Sequence, residues 1–65
     1  MSMTGVYMAE ILATLDREEV ITIPLHATLA RVAALKLENR GEIVKLFEDH
    51  EGVVYELAQG FDDAS

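Results

Sequence analysis

The chain has no cysteine, one proline, only five basic residues and no long apolar run. Each shortage narrows the field. Without cysteine there is no disulfide and none of the strong zinc-binding patterns, and the composition fits a reducing compartment. No apolar stretch approaches the ~18–20 residues that span a bilayer. The opening Met1-Ser2-Met3-Thr4-Gly5 lacks the basic and apolar regions of a secretion signal. The expectation is a soluble, cytoplasmic protein with no membrane partner. The only serines are Ser2 and Ser65, near the ends, and neither His26 nor His50 has an evident orienting partner. A nucleophile–base pair therefore has no support. The four glycines are isolated, which argues against a phosphate-cradling loop. His50 lies in Glu48-Asp49-His50-Glu51, which reads as a solvated turn rather than a cation site, and His26 reads as a capping or surface residue. The chain is expected to be no enzyme and to hold no cofactor, metal or small molecule.

What is present is acid and apolar surface. Twelve acids against five bases give a net charge of −7, which repels nucleic acid and anionic membranes at long range. Sixty-five residues make one domain, expected over residues 1–59 with an acidic flexible tail over 60–65. A chain this short buries about 60% of the surface its unfolded form exposes, and small scaffolds of this kind lean on staples or partners. Half the residues are hydrophobic, more than one thin core can hide, which points to association with itself or with a larger assembly.

Met8, Ile11, Leu12 and Leu15 recur at helical spacing and predict a helix over about 5–15 with Thr4 as N-cap. Val20 to Ile23, β-branched and stopped by Pro24, predicts a short strand. Strong helix formers from Leu25 to about Arg40 predict a second helix, with Pro24 at its start and Gly41 as its C′ residue. Its apolar positions form two stripes, Leu25-Leu29-Val32 and Ala30-Ala33-Ala34-Leu37, and Leu35 belongs to neither. Glu42–Glu48 and Val53–Leu57 predict a hairpin around Asp49–Gly52. In an unbroken ladder 48 pairs with 53, 47 with 54, 46 with 55, 45 with 56, 44 with 57 and 43 with 58. Val44, Leu46, Tyr55 and Leu57 would then face the core, Lys45 would oppose Glu56, and Phe47 and Val54 would be left on the outer face.

The run from Ala34 to Ile43, ALKLENRGEI, followed by a hairpin closing on Tyr55-Glu56-Leu57, resembles the recognition-helix end and wing of winged helix-turn-helix regulators. That family often shows Leu-Glu-x-x-Gly-x-Ile/Val at this junction and Tyr-x-Leu at the end of the wing. The resemblance covers about residues 28–58. It implies an α+β fold, a small helix–strand–helix–β-hairpin domain that is winged-helix-like. Asp16 to Pro24 leaves the second helix of the motif short or missing, and the first strand is free to join the hairpin in a three-stranded sheet.

Charge decides how the resemblance is used. DNA contacts, if made, would fall to Arg31, Lys36 and Arg40, which are spread around the helix, while the wing tip carries Glu48, Asp49 and Glu51. The function expected is a small, acidic, non-enzymatic protein–protein interaction module, homodimeric or a subunit of a larger complex, with Leu35, Phe47 and Val54 as its partner-binding residues. The alternatives are a winged-helix DNA-binding transcription regulator and an acidic inhibitor or DNA mimic.

Overall fold

A computed structural model describes residues 2–58; the tail expected over 60–65 lies outside them. The chain order is α1 (Met3–Arg17), β1 (Ile21–Ile23), α2 (Thr28–Asn39), β2 (Ile43–Asp49) and β3 (Gly52–Leu57). The strands form one antiparallel sheet in the order β1-β3-β2. The fold is therefore α+β, with the first strand joined to the hairpin as expected.

Helix α1 starts earlier than its apolar stripe suggests. Ser2 is extended, and its hydroxyl oxygen accepts from the Gly5 N–H at 3.1 Å, so Ser2 rather than Thr4 is the N-cap. Asp16 and Arg17 complete the last turn, and the Glu18 N–H closes it on the Thr14 carbonyl. Helix α2 starts later than expected, at Thr28. Pro24 does not open it. Instead the Ala27 N–H bonds the Pro24 carbonyl at 3.0 Å, making Pro24–Ala27 a single turn, and exposed His26 sits in it. The Arg31 guanidinium donates to the Leu25 carbonyl at 3.0 Å and ties that turn to the helix. No second helix of a helix-turn-helix forms among the described residues.

The C-terminus of α2 ends as its glycine implies. Gly41 has φ of 80°, its N–H bonds the Glu38 carbonyl, and the Glu42 N–H bonds the Leu37 carbonyl. Those two bonds make a Schellman motif, which satisfies carbonyls the helix would otherwise leave orphaned. It also aims the chain directly into β2.

Both helices cover one face of the sheet. The interior is nine buried residues: Ile11, Leu15, Ile23, Ala33, Ala34, Leu37, Ile43, Val53 and Tyr55. The small-residue stripe of α2 is thus the buried one, and Ala33 and Ala34 let α1 approach closely. Leu29, Val32 and Leu35 stay outside. Leu37 and Ile43 are the largest fully buried side chains, each contributing about 1.5–3 kcal/mol by burial.

The hairpin departs from the expected ladder at one point. Glu48 pairs with Val53 and Phe47 with Val54, as the loop length dictates, but Lys45 then pairs with Tyr55. Leu46 is the extra residue of a β-bulge. Every pair beyond it shifts by one, to Val44–Glu56 and Ile43–Leu57. Of the expected core face only Tyr55 stays buried. Val44, Leu46 and Leu57 are exposed, and Ile43 takes the buried place. Lys45 does not oppose Glu56; its ammonium lies 3.6 Å from Glu48.

Gly52 sets the junction between β1 and the hairpin. Its φ is 154°, and a Cβ there would collide with the Ile23 carbonyl and lie close to Pro24. Gly41, by contrast, has open space around it. Gly41→Ala should therefore cost about 1 kcal/mol of stability, from backbone conformation alone. Gly52→Ala should cost about 3 kcal/mol or more, because β1 must also move. Urea unfolding of the two variants measures the difference. An equal loss at both positions would mean that β1 shifts without cost.

Candidate interaction surface

The register assigns each sheet residue to a face. Cross-strand partners share a face, so Ile21, Ile23, Val53 and Tyr55 point to the helices, while Thr22, Val54 and Phe47 form a row on the opposite, uncovered face. Val44 and Glu56 form the next row on that face. Past Ile43, all of β2 is exposed.

Of the three residues expected to bind a partner, two are accessible. Leu35 and Phe47 are each 53% exposed. Val54 is not available: it is 7% exposed, because β3 is the middle strand and Thr22 and Phe47 flank it on both sides. Val54 therefore acts as the floor beneath Phe47. Leu35 does not join them. It lies on the outer side of α2, opposite the Ala33-Ala34-Leu37 stripe that meets the core, whereas Phe47 lies on the far face of the sheet.

Two residues expected in the core belong to this surface. Val44 and Leu46 are both exposed and flank or adjoin Phe47. A local sign of them is the pair Leu46-Phe47, two adjacent apolar residues close to the turn, a pattern that a bulge accommodates. A second apolar strip, Leu29-Val32-Leu35, runs along the outside of α2.

Three of the five basic side chains are held in local contacts. Arg31 is bonded to the Leu25 carbonyl, Arg40 pairs with Glu42 at 3.0 Å, and Lys45 pairs with Glu48. Arg31 lies on the opposite side of α2 from Lys36 and Arg40, so the three form no single basic stripe. At the tip, the Asp49 carboxylate accepts from the Glu51 and Gly52 N–H groups at 2.9 and 3.2 Å. Its role is to close the turn. Among the described residues no group of three His, Asp or Glu side chains is arranged to hold a metal ion. No helix among them is long and apolar enough to cross a membrane.

Packing perturbs the Tyr55 phenol. Burial raises the Tyr55 phenol above its ordinary 10.0; Glu38 pushes the same way, Arg31 opposes it, and Glu48 adds to the rise. The folded state thus prefers the neutral phenol. Its contribution to stability is whole below the unfolded-state value of about 10 and is lost as pH rises through the folded-state value. Tyr55→Phe should flatten the fall in melting temperature between about pH 9 and about pH 11, relative to the native chain. Parallel curves for the two proteins would remove Tyr55 from the alkaline transition.

Compared with known proteins, the chain matches no family model, no curated protein and no solved structure.

Proposed function

We propose that the chain is a small, acidic, non-enzymatic protein–protein interaction module that acts as a homodimer or as a subunit of a larger assembly. The observation that carries this reading is the apolar surface left outside on β2. Val44, Leu46 and Phe47 are exposed on a domain whose interior is nine residues, two of them alanine. Covering that surface with another chain supplies the apolar burial that so thin an interior lacks.

A second reading, a winged-helix DNA-binding regulator, is favoured by the topology. The order α1, β1, α2, β2, β3 with a β1-β3-β2 sheet gives a wing-like hairpin directly after a helix. The chemistry weighs against it. The outside of α2 offers Leu29, Val32 and Leu35, where a base-reading helix needs hydrogen-bonding side chains. Arg31 and Arg40 are engaged locally, and the wing tip is acidic.

Light scattering coupled to size-exclusion chromatography should find the purified chain larger than a monomer, or bound to a co-purifying partner. A strict monomer without a partner would sink the module reading. Phe47→Asp should weaken association by tenfold or more, roughly, while changing unfolding free energy by only about 0.5 kcal/mol, the usual range for an exposed site. Equal effects on both would make Phe47 a folding residue. Random duplex DNA at about 50 mM salt, where phosphate contacts are strongest, should not be retained; binding that fades as salt rises would favour the second reading instead.

A further inference from the structure

We infer that the open edge of β2 recognises a second copy of this chain, pairing antiparallel with the same strand about a two-fold axis that passes between Leu46 and Phe47. The inference rests on the interaction-module reading above and names its partner.

The sheet has two edges, and they are built differently. β1 offers three residues and runs into Pro24, which has no amide hydrogen to donate. β2 offers seven residues without proline, and among the described residues only β3 pairs with it. Among the described residues both edges are unpaired, and β2 is the longer.

The bulge makes that edge self-complementary. In a regular strand residues 45 and 48 face opposite sides. Here Leu46 is the extra residue, so Lys45 opposite Tyr55 and Glu48 opposite Val53 both lie on the helix side. The 3.6 Å ion pair between them is direct evidence of that shared face. A two-fold axis across an antiparallel pair requires that partnered residues share a face. With the axis between Leu46 and Phe47, Lys45 meets Glu48 of the second copy, and Glu48 meets Lys45 in return. Leu46 meets Phe47 of the second copy, twice over. Val44 falls opposite Asp49, whose carboxylate is already occupied by the Glu51 and Gly52 N–H groups.

Charge selects a second copy over other occupants. The chain carries −7, and along Ile43–Asp49 the charges are Lys45, Glu48 and Asp49, the last already bonded to the turn N–H groups; Lys45 and Glu48 are the pair left for a partner. A basic partner would find a single carboxylate there, and an acidic one a single ammonium. A copy of the same edge meets both groups at once, exchanging the ion pair within each chain for two across the axis.

The test uses the full chain in sedimentation equilibrium. Lys45→Glu and Glu48→Lys each place like charges opposite one another twice per dimer, and each should weaken self-association about tenfold. An equimolar mixture of the two variants restores opposite charges across the axis, although the ion pair within each chain stays broken. The mixture should associate with near-native strength, as should the double variant K45E/E48K. Failure of the mixture to recover, with the native chain still dimeric, would move the interface elsewhere and leave the interaction-module reading standing. A native chain that is monomeric at every concentration would overturn the inference and make the bulge and Lys45 guards against edge pairing.

Discussion

The approach of the Ile23 carbonyl to Gly52 is the contact on which the layout of the sheet depends. β1 is only three residues long, so its placement against β3 rests on Ile21–Tyr55, Thr22–Val54 and Ile23–Val53. A side chain at position 52 would push the strand away at its last pair. Ile23 would then leave the interior, and the cover over Val53 and Tyr55 would open. The glycine serves the hairpin turn as well. One residue thus fixes both the loop that joins β2 to β3 and the strand that lies on β3's other side.

The bulge at Leu46 does a different job. It shifts the register of the strand's first three residues, which puts Ile43 on the helix face and Val44 on the outer face. Ile43 is fully buried immediately after the Schellman turn, and every later residue of the strand is exposed. Val44 is outside because of that shift, Leu46 because it is the extra residue, and Phe47 because it pairs with Val54 on the uncovered face.

Much of this was legible in the sequence, and the rest fails for identifiable reasons. Helical spacing located both helices, β-branching located β1, and Gly41 and Gly52 announced their turns. Loop length fixed the pairs Glu48–Val53 and Phe47–Val54. Beyond those pairs a period-two rule assumes an unbroken ladder, and one extra residue reverses every assignment after it. An unbroken ladder puts Val44 and Leu46 in the core, and the extra residue puts both outside. The burial of Val54 depends on strands that pair from distant parts of the chain, which no local pattern carries. Ser2 and Thr4 are both competent caps by chemistry; the choice depends on where the backbone becomes extended. The engagement of Arg31 with the Leu25 carbonyl likewise depends on a turn that replaces the expected first turn of α2.

The shortness of β1 has a consequence for how the domain comes together. The hairpin closes over two loop residues, a local event with little entropic cost, whereas β1 must find β3 across the whole of α2 and β2. Order of assembly follows from that difference: hairpin and helices form early, and the third strand docks late. Until it does, β3 has a bare backbone edge on one side, bordered by Val53 and Val54. The moment of greatest exposure to wrong partners therefore precedes the arrival of Ile21–Ile23, and a slow or weakened β1 invites strand exchange between growing chains.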